Sequence, residues 1–155
     1  VPLWLSGAIA LALVERTPRR ALLRSRAGML AVAPILGGLL AELLKLLVRR
    51  HRPGEFGLYT FRPFTERPFS TGGLGMPSSH ALVAFAAAAI LSRIFPRAWV
   101  VWWALAWGCA FTRVAAGAHF LSDVVVAALV GWLAGAFLWK QLAPRGEVPA
   151  VHMPN

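Results

Sequence analysis

Long apolar stretches without charge alternate along the chain with short basic segments. Five such runs cover residues 1–14, 27–48, 81–95, 98–112 and 124–139. Only Glu42, Lys45 and Arg93 bring a charge into any of them. A helix needs about 20 apolar residues to cross a bilayer core, and polar side chains that snorkel at the ends can extend the shorter runs. Runs this apolar leave no polar face for a soluble helix, so they predict an all-α bundle of about five transmembrane helices. A very apolar soluble helical bundle is the alternative.

The composition supports an ordered membrane domain. Hydrophobic residues make up 58% of the 155 residues and charged ones 14%, against roughly 45–50% and 25% in soluble domains. This composition excludes a disordered chain, and a single cysteine, Cys109, excludes a disulfide scaffold. We predict one transmembrane domain over residues 1–140, followed by a polar tail at 141–155. A net charge of +10 nevertheless calls for an explanation, and nucleic acid, a membrane surface and a phosphorylated substrate each offer one.

The basic residues divide between the two sides of the predicted membrane. If the helices alternate in direction, the first loop, with five arginines, is the clearest topogenic signal and marks the cytoplasmic side. The opposite side collects Lys45, Arg49, Arg50, Arg52, Arg62, Arg67 and Arg113. Membrane orientation does not explain this second group, which predicts an anionic partner outside the cytoplasm. Nucleic acid is not expected, because the cations lie in loops between membrane helices. Arg49 and Arg50 are expected to contact lipid headgroups.

The first cluster that could take part in chemistry contains Lys45 and the pair Arg52-Pro53. Seven residues are close to two helical turns, so both cations point the same way if the helix persists. A cation inside an apolar run indicates a functional site. A salt bridge from Lys45 to Glu42 is the alternative.

The second cluster, Pro77-Ser78-Ser79-His80, comes just before the third apolar run. Ser78 is a natural N-cap, and the free amide hydrogens of a first helical turn bind anions. His80 would stand beside a bound phosphate, able to transfer a proton near neutral pH. A capped helix with an incidental histidine is the alternative.

The third cluster contains Arg113, His119 and Asp123, the last being the only aspartate of the chain. His119 and Asp123, four positions apart, can share a helix face, so the carboxylate can hold one imidazole nitrogen and leave the other free as a base or nucleophile. A favourable helix-dipole contact is a simpler explanation for Asp123.

Together the clusters place two histidines, a carboxylate and at least three cations on one side. This set suits phosphoryl transfer without a metal, since cations and amides stabilise the phosphoryl oxygens. A three-ligand metal site of His80, His119 and Asp123 is an alternative, disfavoured because the nearby cations would repel a metal ion.

With these motifs the sequence resembles the type 2 phosphatidic acid phosphatase family, the membrane branch of a superfamily that includes vanadium haloperoxidases. The family signature has three parts, matched in order and spacing by Lys45, Arg52 and Pro53, by Pro77, Ser78 and His80, and by Thr112, Arg113, His119 and Asp123. Two positions depart from the pattern: Ser79 replaces a glycine and Thr112 replaces a serine.

The resemblance implies a role for each matched residue. His119 would be the nucleophile, oriented by Asp123, and His80 would be the general acid. The phosphoryl oxygens would be bound by Lys45, Arg52, Ser78, Arg113 and the backbone amide of Ser79. No cofactor is implied. The family usually has six membrane helices, with the first signature at the third, whereas here it follows the second run, so a helix is missing or the protein is a compact five-helix member.

The expected function is that of an integral membrane lipid phosphatase, with its site on the extracytoplasmic face of a bacterial inner membrane. Candidate substrates are phosphatidic acid, phosphatidylglycerophosphate, an isoprenyl diphosphate and a lipid A phosphate. The loop at residues 54–76 is the expected substrate selector, or else an interfacial anchor, through Phe56, Tyr59, Phe61, Phe64, Phe69, Arg62 and Arg67. Alternatives are a lipid phosphotransferase, a vanadate-dependent halide oxidase and a non-catalytic binding or transport protein. The oligomeric state is not predicted.

Overall fold

The computed structural model describes residues 9–11, 13, 25–54 and 58–143. Four long helices occupy most of this part: α1 (Arg26–Val48), α2 (Ser79–Ile94), α3 (Trp99–Ala115) and α4 (Leu121–Leu142). A short 3-10 helix, Pro96–Ala98, links α2 to α3. The described residues contain no strand, only two isolated antiparallel bridges. The prediction of an all-helical fold is therefore confirmed, with the last four apolar runs each forming a helix. Of the first run, positions 9–11 and 13 are helical and the rest lies outside the described residues.

Helix α2 lies at the centre and packs against α1, α3 and α4. Its alanine-rich sequence lets the other helices approach closely. On α4, a Cβ at Gly131 would lie 2.5 Å from the Leu82 carbonyl oxygen, and one at Gly135 would lie 2.6 Å from Ala89 Cβ. The small residues of α4 thus pack within the molecule against α2.

The outward faces of the helices are apolar. Large exposed side chains include Leu39, Leu43 and Leu47 on α1 and Leu129 and Phe137 on α4. An exposed apolar surface of this extent fits contact with lipid rather than water. Helices α1 and α4 are long and apolar enough to cross a membrane, whereas α2, with 16 residues, is an apolar helix of shorter length. The number of crossings and the orientation stay predictions.

The chain enters the candidate site where α1 ends. Arg49 adopts a left-handed conformation (φ 57°) and closes the helix, with its backbone N–H bonded to the Lys45 carbonyl. Residues 50–52 are then extended, and bridges pair Arg50 with Phe61 and His51 with Leu74. The helix does not persist to Arg52, so the condition under which Lys45 and Arg52 would point the same way is not met, and helical periodicity does not set their relation. Because successive helices alternate in direction, segments 49–78 and 116–120 lie at the same end.

Candidate active site

The three sequence clusters converge at this end through direct bonds between helices. The Lys45 ammonium on α1 donates to the Ser79 hydroxyl at the start of α2, with 2.5 Å between Nζ and Oγ. The Ser78 backbone N–H donates to the Asp123 carbonyl in the first turn of α4, at 3.2 Å. The ends of α1, α2 and α4 are therefore fixed relative to one another by residues of the predicted site.

His119 and Asp123 form the predicted pair, although His119 precedes α4 rather than lying on it. His119 Nδ1 lies 3.4 Å from Asp123 Oδ2, and both side chains are buried. That distance is long for a hydrogen bond, and Nδ1 has no hydrogen-bond partner among the described residues. Asp123 also accepts the Phe120 backbone N–H at 2.8 Å, which fixes the carboxylate at the helix N-terminus. The arrangement directs Nδ1 to the carboxylate and leaves Nε2 for other chemistry.

His80 lies in the first turn of α2 and is exposed. Four ionisable side chains are close enough to interact with it electrostatically: Arg113, His119, Lys45 and Arg52. The structure therefore brings His119 and the three predicted cations within electrostatic range of His80. Thr112, the neighbour of Arg113 in the third motif, instead donates its hydroxyl to the Cys109 carbonyl at 2.8 Å.

Lys45 makes the salt bridge considered as the alternative to a substrate role. Its Nζ lies 2.7 Å from Glu42 Oε1, and the Ser79 hydroxyl donates to the same oxygen at 2.8 Å. The Lys45 side chain is buried, whereas that of Glu42 is 46% exposed. Lys45 is thus both adjacent to the other site residues and already neutralised by an acid. An incoming anion has to compete with Glu42 for it.

Ser78 occupies the N-cap position of α2, as predicted, but its side chain makes no capping bond. The hydroxyl is fully buried and has no hydrogen-bond partner within the described part of the chain. A buried unpaired hydroxyl is uncommon in folded proteins, and a ligand oxygen is one way to satisfy it.

Arg49 and Arg50 do not reach lipid headgroups, contrary to the expectation. Arg49 is 1% exposed and Arg50 is 7% exposed. Arg50 Nη2 pairs with Asp123 Oδ1 and also donates to Ser122 Oγ at 2.8 Å. An arginine cannot lose its charge in a protein, so burial requires partners of this kind.

The loop at residues 54–76 is held by two buried arginines. Arg49 donates to four loop carbonyls at 2.5–3.2 Å, those of Arg62, Pro63, Glu66 and Pro68. Arg62 donates to the carbonyls of Ser70 and Gly72 at 2.9 and 2.5 Å. Of the aromatic residues expected to select substrates, Tyr59, Phe61, Phe64 and Phe69 are exposed, and Phe56 lies outside the described residues. Arg67 is exposed as well.

An apolar groove of about 700 Å³ opens beside His80. Ser79 and His80 line its polar end, and most of the remaining lining is hydrophobic, from α2 and α3, including Val83, Ala84, Leu91, Trp102 and Leu105. His119 is outside the lining and 4% exposed. The groove can hold a long apolar chain with its head at His80.

Within the described residues, no group of three or more His, Cys, Asp and Glu side chains is placed to hold a metal ion. The alternative set of His80, His119 and Asp123 therefore does not assemble as a ligand cluster. What surrounds these side chains is mostly cationic, which suits an oxyanion.

Sequence reasoning missed Arg50 as a partner of Asp123 and placed Glu42 only against Lys45. A signal for Arg50 was present, because Asp123 is the only aspartate of the chain and precedes an uncharged apolar run, where a carboxylate commonly pairs with a cation. Ser79, expected to act through its amide, also bonds Glu42 and Lys45 through its hydroxyl.

The described residues form a helical bundle that gathers two histidines and several cations at one end. The chain belongs to the PAP2 superfamily, which matches residues 26–147. The resemblance drawn from the three motifs is thereby confirmed.

Two curated relatives are similar over part of their length. The lipid A 1-phosphatase of Rhizobium etli is 37% identical over 102 residues, which cover 63% of this chain and 43% of that protein. The lipid A 1-phosphatase of Rhizobium johnstonii is 36% identical over 100 residues, covering 63% of this chain and 40% of that protein. The match thus spans less than half of each relative. No solved structure matches the chain significantly.

Proposed function

We propose that the chain forms the catalytic domain of an integral membrane lipid phosphatase. The observation that carries the proposal is the His119–Asp123 pair, buried at the end of an apolar bundle beside His80 and the cations around it. Membership of the PAP2 superfamily and the names of the two relatives support the same activity. The domain comprises residues 1–140 with five membrane helices, followed by a polar tail at 141–155. Its site faces the extracytoplasmic side of a bacterial inner membrane.

The reaction proceeds by two displacements at phosphorus. In the first, the Nε2 lone pair of His119 attacks phosphorus, the bond from phosphorus to the ester oxygen breaks, and that oxygen takes a proton from His80. In the second, water attacks the phosphohistidine, His80 accepts a proton from the water, and the phosphorus–nitrogen bond breaks to release inorganic phosphate. Asp123 keeps Nδ1 oriented and stabilises the charge on the imidazole.

Phosphoryl oxygens are held by Lys45, Arg52 and Arg113, with the Ser79 amide at the α2 N-terminus. The buried hydroxyl of Ser78, unpaired among the described residues, supplies a further donor. Charge stabilisation comes from these groups, so the reaction is proposed to need no metal ion.

The substrate is a phosphorylated lipid whose tail lies in the groove between α2 and α3. Ser79 and His80 line one end of that groove and mostly apolar side chains of α2 and α3 line the rest, which suits a charged head and an apolar chain. Lipid A carrying a 1-phosphate is the first substrate to test, because both relatives bear that name. Other lipid monophosphates and diphosphates complete the comparison.

Phosphate release from purified protein in detergent tests the proposal. We expect release from at least one lipid phosphate, undiminished by EDTA and blocked by vanadate, and we expect His119→Ala to abolish it. Arg97→Gln, in the 3-10 helix at the opposite end of α2, is the control and should retain full activity. Full activity in His119→Ala would overturn the mechanism, and a strict metal requirement would revive metal-dependent hydrolysis.

A further inference from the structure

Arg50 lies outside the three signature motifs, yet it makes the closest charged contact to Asp123. Its Nη2 pairs with Asp123 Oδ1 and donates to the neighbouring Ser122 hydroxyl at 2.8 Å. The two residues are 73 positions apart, and both side chains are almost completely buried. A buried ion pair of this kind is stabilising only when its geometry is well defined.

The position of Arg50 is fixed from several directions. Its guanidinium carbon lies 4.9 Å from the centre of the Tyr59 ring and 5.3 Å from that of Phe120. Its backbone carbonyl accepts the Gly75 N–H at 2.7 Å. A Cβ at Gly75 would lie 3.2 Å from Asp123 Oδ2, so this glycine lets the loop backbone approach the carboxylate. The guanidinium is therefore preorganised by rings and backbone before any substrate binds.

The two oxygens of the Asp123 carboxylate face different partners. Oδ1 faces Arg50, while Oδ2 accepts the Phe120 N–H and lies 3.4 Å from His119 Nδ1. By holding Oδ1, Arg50 fixes the rotation of the carboxylate and so the place of Oδ2 against the imidazole. Its positive charge also balances the carboxylate, which is fully buried. Residues that hydrogen-bond to the ligands of a metal ion orient those ligands in a comparable way.

We infer that Arg50 is a positioning residue that orients the His119 nucleophile through Asp123 and does not bind the phosphoryl group. This inference rests on the proposed phosphatase function. Two arginines only two positions apart therefore have different roles. Arg52 is exposed and interacts electrostatically with His80, whereas Arg50 is buried against the Asp123 carboxylate.

Steady-state kinetics of Arg50→Gln, measured on the lipid that wild type hydrolyses fastest, test the inference. We expect kcat to fall by about 10- to 100-fold, as for other outer-shell partners, while KM changes less than about threefold. Arg52→Gln should instead raise KM, because it removes a direct phosphate ligand. Arg97→Gln controls for the loss of one arginine charge. An Arg50→Gln variant with raised KM and unchanged kcat would overturn the inference.

A double-mutant cycle with Asp123→Asn separates positioning from a general structural effect. If Arg50 acts through Asp123, adding Arg50→Gln to Asp123→Asn should lower kcat by less than about twofold further. Independent effects that multiply would contradict the inference. Should Arg50→Gln fail to fold, Arg50→Lys carries the same test. Its ammonium lacks the planar fork, so kcat should fall about tenfold with KM unchanged, and wild-type kcat would overturn the inference.

Failure of this inference is distinguishable from failure of the proposed function. If wild type releases phosphate and His119→Ala does not, the phosphatase proposal stands whatever Arg50→Gln does. Normal kcat in folded Arg50→Gln then removes only the positioning role. Activity retained in His119→Ala removes the His119 mechanism and with it the positioning role of Arg50, whereas wild-type protein that releases no phosphate from any lipid removes the proposed function.

Discussion

Asp123 connects three parts of the molecule through a single buried side chain and its backbone. Its carboxylate faces Arg50 from the segment after α1 and His119 from the segment before α4. Its backbone carbonyl accepts the N–H of Ser78, just before α2. The residue that orients the proposed nucleophile therefore also joins the helix ends, and its loss would affect folding as well as catalysis.

Residues close in sequence could be paired from the sequence, whereas distant ones could not. The Lys45–Glu42 contact follows from a spacing of three residues on α1. A spacing of four also predicted the His119–Asp123 contact, although His119 lies just before α4 and the helical rule does not apply to it. The contact of Arg50 with Asp123 depends on how the loop returns to α4, which no local pattern encodes. The same holds for the Ser79 hydroxyl, which bonds to residues 34 and 37 positions away.

Replacing Glu42 by glutamine should strengthen phosphate binding. The acid neutralises Lys45 at 2.7 Å, and a partly exposed ion pair contributes up to about 1 kcal/mol. Removing the acid frees Lys45 for the phosphoryl group, so KM should fall about two- to fivefold. The measurement is KM for the best lipid phosphate, with Glu66→Gln, an exposed loop acid, as control. An increase in KM would show that Glu42 holds Lys45 in its productive position instead.

The apolar run predicts the span of helix α1, but it does not predict how the chain continues after the helix. Its apolar run predicts nearly the observed span, Arg26–Val48, and the helix continues through Pro34. The helix ends with the run at Val48, where Arg49 takes a left-handed conformation that is uncommon for a residue other than glycine. Four carbonyl acceptors around its guanidinium account for this, and they come from a loop whose path the sequence does not reveal.

The packing of α4 on α2 predicts that two glycine-to-alanine changes will differ sharply. A Cβ at Gly131 would come within 2.5 Å of the Leu82 carbonyl, so Gly131→Ala should separate the helices and lower the free energy of unfolding by about 1–3 kcal/mol. Gly108, on α3, has open space around its Cβ position, so Gly108→Ala should be neutral or stabilising by up to about 1 kcal/mol. Thermal unfolding in detergent compares them. Equal stability of the two variants would contradict the close packing.

Much of the net charge of +10 serves contacts within the folded molecule and not the binding of an anion. Several cations expected to attract an anion are committed to the protein itself: Arg49 and Arg62 to loop carbonyls, Arg50 to Asp123 and Lys45 to Glu42. Arg52 and Arg113 remain as the clearest candidates for a phosphate. The total charge was available from the sequence, but its division between folding and binding required the three-dimensional arrangement.

A larger side chain in the groove should weaken the binding of substrates that have a lipid tail and leave substrates without one unaffected. Ala84 lines it, so Ala84→Phe should raise KM for long-chain lipid phosphates about tenfold while leaving hydrolysis of p-nitrophenyl phosphate unchanged. Ala104→Phe makes the same change on an exposed part of α3 outside the lining and serves as control. An equal loss on both substrates in Ala84→Phe would place the lipid tail elsewhere.

The covalent intermediate is the central claim, and trapping it is the most direct test. Wild-type protein is mixed with a lipid substrate carrying a labelled phosphoryl group, quenched in base, which preserves phosphohistidine, and analysed by peptide mass spectrometry. The proposed mechanism predicts label on His119, absent from His119→Ala and increased if hydrolysis of the intermediate is slowed. Label on another residue, or rapid phosphate release with no labelled His119 at any time, would contradict it.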